Sequence, residues 1–166
     1  MSYATPTDLA RVATQGWDEV AQRAARDARV SGELLRLTAE GGDRSAYSAE
    51  IIALADDALL KVVDVLERTS RAADTYLAPR YRAVMPLADA LIQSSDLPTA
   101  VATIALRRLY GSRVTEDMTR STKWADEYLR DLYSGKSSLG EVDTATAQVP
   151  GRMHVSTQAK QDWSGY

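Results

Sequence analysis

Apolar residues recur along this chain at steps of three and four from about residue 5 to about residue 134, and the rhythm then stops. A 3.6-residue period on one side of the chain predicts amphipathic helix. The strongest stretch is 48–77, where Ile51, Ala55, Ala58, Val62, Leu66, Thr69, Ala73 and Tyr76 form one stripe, widened by Ile52, Leu59 and Val63. That predicts a helix of about eight turns. Ser48 suits its N-cap and Glu50 its first turn. It should stop near Leu77, because a residue preceding a proline, here Pro79, is pushed out of the α region. Burying some eight of its side chains at ~1.5–3 kcal/mol each gives a gross gain of ~12–24 kcal/mol. Only a packed partner helix can provide that burial.

The remaining segments are shorter. Thr5-Pro6-Thr7-Asp8 is a helix start with capping-box spacing and proline in the first turn, and Leu9 and Val12 give that helix its apolar side before Gly16. Residues 17–29 carry a weak stripe (Trp17, Val20, Ala24, Ala28) that predicts a partly buried helix. Leu34, Leu35 and Leu37 form a knot before Gly41-Gly42-Asp43, and residues 86–93 read as a short helical turn. Asp96-Leu97-Pro98 opens a further helix with Val101, Ile104, Ala105 and Leu109 on one side and Gly111 past its end. Thr115 opens the last one, which turns Met118, Ala125, Tyr128, Leu129 and Leu132 inward and stops at Ser134-Gly135. The expected fold is all-α: a compact helical bundle around a long antiparallel pair, residues 48–77 with 115–133, sharing Val62, Leu66, Tyr128 and Leu132.

Residues 1–135 are thus the helical body, and 136–166 an extended C-terminal tail. The tail is rich in Ser, Thr, Gln and Gly, too polar to build a core, yet it carries Met153, Val155, Trp163 and Tyr166. A polar segment with apolar anchors has its structure supplied by a partner, so those four residues are the expected partner contacts.

Composition narrows the function classes. At 166 residues with 45% apolar there is material for one modest core. The absence of Cys removes disulfides, thiolate catalysis and Cys-zinc sites. A net charge of −3 gives no global pull toward nucleic acid. The polar start does not resemble a signal peptide, and the apolar runs are too short for a bilayer. A soluble protein made in the cytoplasm, with no membrane contact, is expected. His154 is the sole histidine, and a general base needs better positioning than a tail provides. Asp56, Asp57, Asp64 and Glu67 suggest a metal cluster, but Lys61 and Arg68 interleave with them as on a solvated face. No nucleophile elbow, phosphate loop or dinucleotide fingerprint is present. No catalytic, cofactor or metal site is expected.

Arg80 and Arg82 flank Tyr81 past the long helix, and Arg107, Arg108 and Arg113 lie at the end of the next. Cations belong at helix C-termini. The same residues could form a basic edge that meets acids on a neighbouring subunit or faces passing DNA. Trp17 and Trp124 read as core or rim packing, since a stacking site needs aromatics grouped with Arg.

Several segments, in order, resemble the head–tail connector (neck) proteins of Mu-like tailed phages. These are Tyr3-Ala4-Thr5-Pro6-Thr7-Asp8-Leu9, then Ala73-Asp74-Thr75-Tyr76-Leu77-Ala78-Pro79-Arg80-Tyr81, and Pro86-Leu87. Ile104-Ala105-Leu106-Arg107-Arg108-Leu109-Tyr110-Gly111 follows, then Trp124 and Ser134-Gly135-Lys136-Ser137-Ser138-Leu139-Gly140. The likeness covers most of residues 1–15 and 34–140, and residues 16–33 stand as an insertion. It implies a ring, typically twelve-fold, beneath the portal at the head–tail junction of the virion. It also implies contacts with portal and with a further neck or tail-terminator protein, with DNA passing through unrecognised. A cyclic ring needs two different complementary surfaces on each subunit. Two other classes stay open: a small helical DNA-binding or regulatory protein using the five arginines, and a small helical enzyme such as a nucleotide hydrolase.

Overall fold

A computed structural model describes residues 2–140. Seven α-helices and no strand occur among them: α1 (Pro6–Val12), α2 (Trp17–Ala24), α3 (Gly32–Glu40), α4 (Ala49–Tyr81), α5 (Asp89–Gln93), α6 (Leu97–Tyr110) and α7 (Glu116–Ser134). The all-α class holds.

The helix starts follow the capping chemistry of the sequence. The Thr5 hydroxyl accepts from the Asp8 N–H while the Asp8 carboxylate accepts from the Thr5 N–H, a complete capping box. Ser48 caps α4 through the Ile51 N–H, and Thr115 caps α7 through the Met118 N–H. Gly135 ends α7 at φ +75°, a left-handed position that glycine tolerates.

The bundle is organised around α6. Nine of its fourteen residues are buried, from Leu97 to Leu109, including Ala100, Ala102 and Ala105 with no measurable exposure. A helix apolar all round sits inside a fold rather than on its surface. Helices α1, α4 and α7 pack against it, while α2 and α3 pack together against the N-terminal half of α4.

Four expectations are corrected. The long helix does not stop at Leu77 but runs 33 residues to Tyr81, with Pro79 inside it. Leu77 and Tyr81 stand one turn apart and both are fully buried, so core packing holds the last turn where proline alone would end it. The buried stripe accordingly passes through Leu77, and Tyr76 remains 37% exposed. The third correction concerns direction. The Thr69–Tyr76 region of α4 meets Asp126 and Leu129 of α7, and Arg80 meets Ser137 just past it, so α4 and α7 run the same way. The antiparallel partner of both is α6, whose Arg107 and Arg108 reach back to Asp126 and Thr69. Three successive long helices that reverse at each connection leave the first and third parallel. Val62, Leu66 and Leu132 are core residues, with Tyr128 packed at its margin. Fourth, the 17–29 helix ends at Ala24, and Val20, Ala21 and Ala24 are buried in the main core.

The packed chain also continues past Gly135. Leu139 is fully buried in the main core, the Arg80 guanidinium donates to the Ser137 carbonyl, and Gly140 lies against Ser94.

Candidate interaction surface

The acids of α4 have the ordinary surface role expected of them. Asp64 pairs with Arg68 at 2.9 Å and Asp56 with Arg44. Lys61 does something the sequence did not suggest. Its ammonium donates to the carbonyls of Arg23 and Ala24, closing the C-terminus of α2. Among the described residues no group of His, Asp and Glu is arranged to hold a metal ion.

The five arginines fall into three places. Arg107, in the last turn of α6, grips Asp126 with both terminal nitrogens at 2.7 and 3.0 Å and reaches Thr122 at 3.3 Å. A bidentate, partly buried pair of this kind is a strong link between helices. Arg108 donates to the Thr69 hydroxyl at 3.1 Å, which itself donates to the Val65 carbonyl at 2.7 Å. Thr69, Arg107, Arg108 and Asp126, with Tyr76, Ile104 and Leu129, line a cleft of about 260 Å³ where α4, α6 and α7 meet. Arg80 lies eleven positions beyond Thr69 on the same helix, about 16 Å along its axis. It stacks on Tyr81 with its Cζ 5.3 Å from the ring centre. Arg82 is exposed in the single 3₁₀ turn that follows, and Arg113 is exposed at the other end of α6, in a second such turn. One continuous basic edge therefore does not form within the subunit.

Two polar clusters join elements that no sequence pattern pairs. The Tyr3 hydroxyl donates to Asp74, and the Tyr3 N–H donates to the Ser70 hydroxyl at 3.0 Å, tying the chain start to α4. Burial pushes the Tyr3 phenol well above the ordinary tyrosine range, and the Asp74 carboxylate pushes it further. Glu19, 6% exposed, accepts from the Tyr110 hydroxyl and from the Gln15 N–H at 3.0 Å. Burial again leads in raising the Tyr110 phenol, followed by the bond to Glu19. Apart from Gln15 and Glu19, the partners are 67 to 91 positions apart, beyond the reach of any periodicity.

Some apolar surface is left over. Leu60 (67%) and Val63 (36%) face solvent on α4, and Trp124 (41%) and Tyr133 (54%) do so on α7. Trp124 therefore sits at the rim, and Trp17 packs half-buried against the main core. Met153, His154, Val155, Trp163 and Tyr166 lie outside the described residues.

The sequence matches the family model described as "Bacteriophage Mu, Gp36" over residues 3–157. The chain belongs to the Mu Gp36 family. It is a protein of Mu-like phages. No curated protein and no solved structure gives a match. In this Gp36-family chain the matched span begins at Tyr3, whose phenol anchors the chain start, and runs beyond Gly140, the last described residue. It also takes in residues 16–33, whose α2 belongs to the main core. No helix among the described residues is long and apolar enough to cross a membrane.

Proposed function

We propose that this protein is a structural head–tail connector, not an enzyme, which forms a ring beneath the portal and links the DNA-filled capsid to the tail. The observation that carries the reading is membership of the Mu Gp36 family over nearly the whole chain. The segments that resemble connector proteins support it by their positions: one opens α1, one forms the last turns of α4, and one forms the second half of α6. In this reading Arg82 and Arg113, exposed at the ends of long helices, face a neighbouring subunit or the channel. Arg80, Arg107 and Arg108 serve instead as links within the subunit, to Ser137, Asp126 and Thr69. The tail past the docked Leu139 forms an arm to a neighbouring protein, with Met153, Val155, Trp163 and Tyr166 as its contacts.

Negative-stain imaging of the purified protein, alone and mixed with the portal of the same phage, tests this. Annular density stacked on the portal is expected, with the free protein largely monomeric. A tight two-fold dimer that ignores portal would overturn it, because an isologous interface occupies its own patch and cannot propagate into a ring.

A further inference from the structure

One hollow on this molecule gathers three arginines that form no ion pair among the described residues. Arg23 in the last turn of α2, Arg26 just beyond it, and Arg113 in the turn after α6 line a single concavity of about 510 Å³. The fold makes this convergence, since Arg113 is remote in sequence from the other two. Among the described residues none of the three forms an ion pair, whereas Arg11, Arg36, Arg44, Arg68, Arg107 and Arg120 each do. The one carboxylate in the lining, Asp27, is held by Arg29 at 2.8 Å. Arg23 is fixed in place: its Cζ lies 4.2 Å from the centre of the Tyr110 ring, and its Nε–H is buried without an acceptor. Glu19 accepts from the hydroxyl of the same Tyr110.

We propose that this hollow is an oxyanion site that takes a phosphate group. A carboxylate presents two oxygens in one plane, which a single guanidinium fork satisfies. Three guanidinium-bearing residues on two segments that the fold brings together suit a tetrahedral group with more oxygens and more charge. The hollow is larger than one inorganic phosphate, so the group can arrive as a free phosphate or nucleotide, or as part of a nucleic-acid backbone. Because the chain as a whole is negative, long-range attraction is absent and the contact is local. The site does not depend on the connector reading, since its test uses the free protein and reads no assembly.

The test titrates the full-length protein with inorganic phosphate by calorimetry and with a duplex of about 25 base pairs by fluorescence anisotropy, at low and at moderate salt. The triple variant Arg23→Gln/Arg26→Gln/Arg113→Gln is compared with a charge-matched control, Arg11→Gln/Arg36→Gln/Arg120→Gln. Wild type and control should bind at least one probe equally, and the triple variant should lose tenfold or more. Duplex binding without phosphate binding assigns the backbone, with log K falling by up to about 2.7 per log unit of salt for three contacts. Binding of inorganic phosphate assigns a small ligand. If the triple variant folds poorly, Arg26→Gln/Arg113→Gln leaves the Arg23–Tyr110 stack intact and carries the same comparison. The proposal is overturned if neither probe binds at low salt, or if the variant and the control lose equally. A poly-glutamate peptide bound as tightly as the duplex, and lost in the same variant, overturns it in favour of a carboxylate partner.

Discussion

Tyr3 ties the start of the chain to α4 through a phenol that must stay protonated to donate to Asp74. Its folded pKa is raised above the unfolded value near 10, so the stability it contributes is complete below about pH 10 and is lost as pH rises through the folded value. Tyr110 acts in the same direction through burial and Glu19. Thermal melts should therefore be flat from pH 7 to 9 and fall steeply above about pH 10. Tyr3→Phe should cost about 1–3 kcal/mol at pH 7, from the acceptor left without its donor, and should fall less steeply in alkali. An unchanged alkaline slope in that variant would clear Tyr3 of the effect. Leu66, 1% exposed, gives a plainer test: Leu66→Asp places an unpaired charge in the main core and should cost several kcal/mol by chemical denaturation. A wild-type midpoint would refute the core assignment. At this scale the apolar residues were legible from their period, because burial of a helix face repeats locally. The hydroxyl and carboxylate partners were not, because each bond joins segments that only the finished fold brings together.

Helix α4 shows how local rules and packing divide the work. Its start was legible because Ser48 caps it and Glu50 follows in the first turn. Its end was misplaced because the rule for residues before proline is a local preference, and here it competes with burying Leu77 and Tyr81. Pro79 still supplies no N–H to the Thr75 carbonyl, so its ring is tolerated, not favoured. Pro79→Ala, at an exposed position, should raise the denaturation midpoint by an amount equivalent to about 1 kcal/mol, less than the mid-helix figure because only the last turn lies beyond it. A lower midpoint would show that the stiff ring, through the unfolded chain, matters more than the missing bond. Helix α6 was read as one-sided, with Val101, Ile104, Ala105 and Leu109 inward. Its short run of alanines hides a helix covered on nearly every side, since Ala is compatible with either surface or core.

The order of helices in space was the least legible part. A stripe on α4 and a stripe on α7 say that both are covered, not by which neighbour or in which sense. Val62, Leu66 and Leu132 are core residues as expected, but the pairing between them was not legible, because the intervening α6 makes α4 and α7 run the same way. The candidate surface suffered likewise. Five arginines close in sequence to two helix ends were dispersed to three places, and a different trio, Arg23, Arg26 and Arg113, was assembled by contacts across the fold. The burial of Leu139 was not legible, because it follows a Gly-Lys-Ser-Ser stretch that reads as loop. Truncation tests this directly. Ending the chain after Gly140 should leave the melting of the body unchanged, whereas ending it after Gly135 should cost about 2–5 kcal/mol, as for losing a buried Leu side chain. Equal melting of the two would refute the docking of Leu139.

That docked leucine also decides how the molecule bears load. A pull on the chain beyond Gly140 does not begin by peeling α7 away from Gly135, one hydrogen bond after another. It acts on Leu139, seated in the core, and on the Ser137 carbonyl held by Arg80 at the tip of α4. The tension is thereby passed to α4, a rod of 33 residues and about 50 Å, and shared along its whole buried face. A fastening of this kind resists in shear, the direction in which many contacts must break together.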